Sequence, residues 1–225
     1  MGVTPAELAE RYPRLYHMAH RDSWAGIQRH GLLCTEALVQ LFEIPREMRD
    51  QILNQQRTKS FPIENAKHGK AVIRDQKPLI RSRLEACLEG CTFQQWLKML
   101  NSRVFFWLTE DRLKTLMCAR EYCADQHVVL TLDTQRLATH LQNKTTLAPI
   151  NTGNTRPYPA RRSLSTFSRM ADYPFEKQRR KVVELAVKGG VERIMDYVVE
   201  VAEMRCSTCD KKKGQTIYTI RRLYP

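Results

Sequence analysis

A lone carboxylate sits inside an apolar run at Lys181-Val-Val-Glu184-Leu-Ala-Val187, and Arg179 and Arg180 stand just ahead of it. Valines at 182, 183 and 187 suit a pleated, half-buried surface, so the run is predicted to be a strand. A glutamate inside such a strand is costly to bury unless it is paired or has chemical work to do. Edge strands also carry charges to stay soluble, so Glu184 is alternatively an edge charge or the partner of Lys181. The sheet built by the rest of the chain decides between these readings.

Several other short runs have strand character. Leu15-Tyr16-His17-Met18 is apolar and brief, and Val104-Phe-Phe-Trp-Leu108 is a continuous apolar run of the kind found in sheet centres. Val128–Leu132 follows, then a weaker run at Thr145–Ile150, and a closing hairpin is predicted from Ile194–Ala202 and Thr216–Arg222. Helices are predicted mainly in the first half. Thr4-Pro5 is a helix start, Ser23–His30 is a short helix ended by Gly31, and Glu36–Phe42 and Asp111–Ala124 follow. Residues 44–101 are polar and helical without a clear strand, with a loop-like basic stretch over 58–70, and Trp96, Leu97 and Leu100 are assigned to a core. Residues 163–180 are expected to hold a short helix interrupted near Pro174. Asn151–Arg162 is too rich in Pro, Gly and polar residues for regular structure, and loops of that length in compact domains tend to be functional or disordered. The expectation is one α+β domain over 1–225, with a core at about 1–43 and 102–225 and a helical insertion at 44–101.

With 42% hydrophobic and 27% charged residues among 225, the chain has an ordinary globular composition, and no run approaches the ~18 apolar residues of a membrane span. Met1-Gly-Val-Thr-Pro-Ala-Glu lacks the layout of a signal peptide, which makes a cytoplasmic address the default expectation. A net charge of +13 favours a polyanionic partner, because neutralised phosphates release counterions whatever their sequence. Seven cysteines without a regular framework suit reduced thiols. Cys206-x-x-Cys209 has zinc-knuckle spacing, but a structural zinc needs four ligands. The other pairs, Cys87-x3-Cys91 and Cys118-x4-Cys123, lie far away in helix-like stretches. The CxxC segment is therefore taken as a turn between strands, and no metal is expected.

Three features occur in a definite order: a strand carrying His17 followed by a helix and Gly31-Leu32-Leu33, the aromatic strand Val104–Leu108 followed by a helix, and the strand carrying Glu184. This order resembles the ADP-ribosyltransferase superfamily, most closely the DNA-targeting ADP-ribosyltransferase toxins of toxin–antitoxin systems. The resemblance covers roughly residues 14–35, 103–120 and 178–200. It departs at Ala19, where those toxins usually carry Thr or Ser, and it shows no obvious tyrosine pair to sandwich a nicotinamide.

The resemblance implies a split β-sheet core, NAD as a substrate, and transfer to nucleic acid, DNA more than RNA, by a toxin or phage-defence effector. By that resemblance Glu184 and His17 are catalytic, with Arg112 assigned beside them. Tyr16, Gly31, Leu32, Phe106 and Trp107 would hold NAD. Arg156, Arg161, Arg162, Arg179 and Arg180 would hold the nucleic acid, since guanidinium forks suit phosphates. Simpler roles exist for each: His17 as a core histidine, the Phe-Phe-Trp run as packing, Arg161-Arg162 as a solvated loop. Two other functions fit the same residues. One is a nucleic-acid glycosylase of this fold that works without NAD; the other is a non-catalytic nucleic-acid-binding module.

Overall fold

A computed structural model describes residues 2–175 and 182–225. The chain opens with helix α1 (Pro5–Arg11), started by a reciprocal Thr4–Glu7 capping box with Pro5 in its first turn. Strand β1 (Arg14–His20), helix α2 (Trp24–His30), the two-residue strand β2 (Leu32–Leu33) and helix α3 (Thr35–Leu41) follow. The excursion after α3 contains α4 (Arg46–Asn54), β3 (Phe61–Asn65), β4 (Gly69–Ile73), α5 (Arg81–Glu85) and α6 (Phe93–Asn101). The chain then runs through β5 (Arg103–Trp107), α7 (Glu110–Met117), β6 (Gln126–Asp133), α8 (Thr134–His140) and β7 (Thr145–Ala148). It ends with β8 (Ser168–Arg169), β9 (Glu184–Lys188), β10 (Gly190–Val191), β11 (Val198–Cys206) and β12 (Ile217–Tyr224).

The fold is α+β around an antiparallel eight-stranded sheet of order β12-β11-β6-β1-β5-β9-β7-β8. The weak point of that sheet lies in its middle. β1 pairs with β6 over seven residues, but it meets β5 at one position only, Tyr16 opposite Trp107. β5 in turn pairs with β9 over five residues, with Trp107 opposite Glu184, and β7 sets Ala148 against Glu184 on the far side. Glu184 is therefore in an interior strand, paired on both flanks, and the edge-charge reading fails.

Alternation along the strands sorts the core. Leu15, Ala19, Val104, Phe106, Leu130, Leu185 and Val187 belong to the largest apolar cluster, which also takes in α1 and α8. Phe105, Ala148 and Ala186 face the other way, onto a cluster built by α6 with Trp96, Leu97 and Leu100, all buried as the sequence suggested. Thr92 and Gln95 form the capping box that starts α6.

The excursion over 44–101 departs from the helical expectation. Residues 61–73 form a β-hairpin, with Ile63 and Ala71 directly opposed and both buried beside Ile73. Pro62 and Glu64 face outward on β3, so the apolar residues read as isolated, and Gly69 takes the positive φ of 78° that turns the chain. The short helix expected over 163–180 is replaced by two 3-10 turns, Leu164–Thr166 and Met170–Asp172, flanking β8. Positions 176–180 of that expectation lie outside the described residues.

The thiol expectation is also revised. Cys118 and Cys206 are joined as a disulfide, as are Cys123 and Cys209, and Cys34, Cys87 and Cys91 are free. Pairs 86 and 88 residues apart in sequence meet because the turn after α7 packs under the β11–β12 hairpin.

Gly31 makes a tight approach that only glycine allows. Its φ is +81°, and an added Cβ would stand 2.2 Å from the backbone oxygen of Glu192. The β2–β10 ribbon, with Leu32 opposite Val191, rests on that contact. Gly31→Ala is expected to destabilise the protein by about 2–4 kcal/mol, read as a lower thermal midpoint, since backbone must move to relieve the clash.

Candidate active site

The carboxylate of Glu184 lies 3% exposed at the first position of β9. Thr152 grips it twice: its backbone N–H donates to Oε2 at 3.1 Å and its hydroxyl donates to the same oxygen at 2.6 Å. Burial pushes the Glu184 pKa up to about 7, against the pull of the two Thr152 bonds and the charges of Arg162 and Arg112. A carboxyl poised near neutrality inside a wall of protein is the pattern of a chemical group.

Thr152 belongs to the irregular loop 151–162, which the sequence left as either functional or disordered, and Arg162 holds that loop in place. Its Nη1 donates to Thr152 O at 3.0 Å, its Nη2 to Asn154 O at 3.1 Å and its Nε to Ala160 O at 3.0 Å. The guanidinium also lies 5.7 Å from the centroid of the Trp96 ring. The loop is tied to the excursion as well, because Thr155 donates its N–H to Pro78 O and its hydroxyl accepts from Ile80 N.

Glu184 lines a cleft of about 1210 Å³ that also takes in His17, Gly31, Leu32, Trp107 and Arg112. The imidazole of His17 bonds through Nδ1 to Phe105 O at 2.8 Å. Burial drives its pKa down to about 4, the Phe105 bond opposing and the Arg74 charge assisting, so the ring is neutral at physiological pH. A carbonyl only accepts, so Nδ1 carries the proton and Nε2 is left as an acceptor.

Arg57, residues 71–76 and Pro78 add a further wall to the cleft. Arg74 donates to Met18 O at 2.8 Å and lies 4.9 Å from the Tyr122 ring centroid, while the Tyr122 hydroxyl donates to Asp75 at 2.7 Å. Burial and the bond to Asp75 push the Tyr122 pKa well above its usual value. Arg57, 6% exposed, donates to Ile52 O and to Asn101 Oδ1 and ties this wall to α4 and α6. None of Thr152, Arg57, Arg74, Asp75 or Tyr122 was singled out by the sequence. A hydroxyl in a loop and cations in a polar segment carry no local signal of their partners.

The remaining expectations divide. Arg156 is at the cleft, where it pairs with Glu121. Arg161 points away and pairs with Glu89, its side chain 85% exposed. Arg162 is corrected from a phosphate contact to a loop anchor, because at 2% exposure its donors are spent on backbone carbonyls. Phe106 is corrected from a stacking platform to a core residue, 1% exposed, since alternation turns it away from Trp107. Tyr16 lines a separate depression of about 350 Å³ with Arg11, Tyr12 and Arg14, not the main cleft. Arg179 and Arg180 lie outside the described residues.

The fold and site thus define an α+β protein with a buried, titratable carboxylate, a neutral histidine and an arginine around one deep cleft. The chain belongs to DUF7002, a family of unknown function whose model matches residues 13–198. That span takes in the His17, Trp107, Thr152 and Glu184 positions. No curated protein matches the chain.

Proposed function

We propose that this protein is an ADP-ribosyltransferase-like enzyme that uses NAD to modify nucleic acid, DNA more than RNA, as a cytoplasmic toxin or phage-defence effector. The observation that carries this reading is Glu184, buried and doubly held by Thr152, in one cleft with His17 and Arg112. Breaking an N-glycosidic bond builds positive charge on a ribose ring, and an ionised carboxylate beside the ring stabilises that charge as it develops. Glu184 fills that role in its ionised form and also orients a ribose hydroxyl. His17 Nε2 accepts a hydrogen bond from a second hydroxyl, which its tautomer suits. Arg112, or Arg74 across the cleft, sets a cation against the pyrophosphate. Departure of nicotinamide leaves the ribose carbon open to a nucleophilic atom of the nucleic acid, whose proton is lost on transfer. The single-pair junction of β1 and β5 supports the split-sheet fold that this reading requires.

A glycosylase that needs no NAD is the second reading, favoured by one observation. Tyr16 and Phe106, two of the aromatic residues assigned to nicotinamide, do not line the cleft. A carboxyl with a pKa near 7 also suits proton delivery to a departing base.

Incubation of the protein with radiolabelled NAD and single-stranded or duplex DNA or RNA separates the two. Label retained on the polymer is the expected result. Free base released without NAD would transfer the assignment to the glycosylase. Binding with neither product would leave a basic nucleic-acid-binding module.

A further inference from the structure

We propose that Cys118, Cys123, Cys206 and Cys209, in their reduced form, are a tetrathiolate site for one Zn²⁺ ion. The four residues come from two short-range pairs, Cys118-x4-Cys123 after α7 and Cys206-x2-Cys209 at the end of β11. Two cysteines a few residues apart on each of two segments is the usual layout of a structural zinc site. The fold brings the two segments face to face. Each disulfide joins one member of each pair, with Cα atoms 5.3 Å apart in both cases. Cys118, Cys123 and Cys206 share one apolar cluster with Met18, Met117 and Tyr122. Gln215 ties the segments together independently of the sulfurs, donating from one amide nitrogen to Cys118 O and to Thr208 O.

Among the described residues, no three His, Cys, Asp or Glu side chains are poised around a metal while these sulfurs are bonded in pairs. Reduction changes that. Zn–S distances of about 2.3 Å place tetrahedral sulfurs about 3.8 Å apart, so the metal would draw the two sulfur pairs together. The arrangement suits a metal better than a pair of cross-links. Once Cys118–Cys206 has closed its loop of 88 residues, Cys123–Cys209 closes only the few residues between the two bonds. The second bond therefore constrains the unfolded chain much less than the first, whereas a zinc ion requires all four sulfurs. Charge agrees as well. Four thiolates around Zn²⁺ carry a net charge of −2, and in the flanking sequence the cations Arg120, Arg205, Lys211, Lys212 and Lys213 outnumber the anions Glu121, Asp125 and Asp210. The chemistry balances with a dithiol reductant. Two equivalents convert the disulfides to four thiols and are themselves oxidised, and Zn²⁺ then replaces the four thiol protons.

The site also bears on the cleft. Residues 119–122 lie between its first two ligands, and with Cys118 and Arg112 they line the cleft.

The test is to purify the full chain from a reducing cytosol without metal-affinity steps, then measure zinc by mass spectrometry and thiols in denaturant with chelator. One zinc per chain and seven reactive thiols are expected. Three thiols, or seven thiols without zinc, would overturn the site, and so would zinc accompanied by three thiols. Cys209→Ser, at an exposed loop position where folding should survive, separates the cases again. It should lose the zinc and leave six thiols, whereas four thiols would show one intact disulfide and overturn the proposal.

Discussion

Glu184→Gln is expected to reduce turnover by about 10³-fold while raising the thermal stability of the protein at pH 8. The two effects have one cause. The side chain is 3% exposed and its folded pKa is about 7, above the ordinary value of 4.5. A carboxyl whose pKa is raised on folding contributes stability that is fully present below the unfolded value and is lost as pH climbs through the folded one. Between about pH 4.5 and pH 7 the native protein therefore loses on the order of 3 kcal/mol from this group, because the buried site must accept a charge. Glutamine keeps the shape and still accepts from Thr152, but it never ionises. The variant should lack that pH dependence and melt about 5–10 °C above the parent at pH 8, with little difference at pH 4.5. Activity should run the other way in the parent, rising with pH through an apparent pKa near 7 if the ionised form is needed. A falling limb at that position would instead point to the protonated carboxyl acting as an acid on a departing base. If Glu184→Gln retained full activity, Glu184 would have no part in the chemistry and the reading built on it would fall.

Arg162→Ala is expected to be the most destabilising arginine substitution near the site, by about 3–5 kcal/mol. It strips donors from the carbonyls of Thr152, Asn154 and Ala160, leaves that of buried Thr152 unsatisfied, and removes a cation from the face of Trp96. Loop 151–162 should then exchange its amide protons much faster, and Thr152 should lose its grip on Glu184. Loss of the Arg162 charge also pushes the Glu184 pKa higher, so any surviving activity should show its pH limb displaced upward. Arg161→Ala is the control. That side chain is exposed and paired with Glu89, and its removal should change stability by less than about 0.5 kcal/mol. Hydrogen-exchange mass spectrometry with thermal melts distinguishes the two variants.

Adjacent arginines with opposite fates show where sequence stops being informative. Arg161 and Arg162 have the same local context, and only the carbonyls of a folded loop and the Trp96 ring select one for burial. The same limit governs Phe106 and Trp107, whose roles exchange with a one-residue change in strand register. Glu184, His17, Gly31 and Arg112 were legible for a different reason. Each breaks a local rule, as a charge in an apolar strand, a polar ring in a short strand, a glycine closing a helix, or a cation at the start of one. The 61–73 hairpin was hidden by Pro62 and Glu64 on its outer face. The meeting of Cys118 and Cys123 with Cys206 and Cys209 depends on contacts more than eighty residues apart, which no window of sequence displays. Thr152 was hidden for the same reason, being an ordinary hydroxyl until β9 is laid beside its loop.

The junction at Tyr16 and Trp107 has a mechanical meaning. His17 is carried by the half-sheet β12-β11-β6-β1 and Glu184 by the half-sheet β5-β9-β7-β8, and the seam between them holds one ladder pair, Tyr16 with Trp107, and the bond from His17 Nδ1 to Phe105 O. The gap between the histidine and the carboxylate is thus set at a joint between two half-sheets, across which the His17–Phe105 bond ties the imidazole to the strand beside that of Glu184. A change in side-chain bulk at that joint resets the reach from one group to the other while both half-sheets stay intact. Substrate fit and turnover would shift together, from a position that touches neither reacting atom.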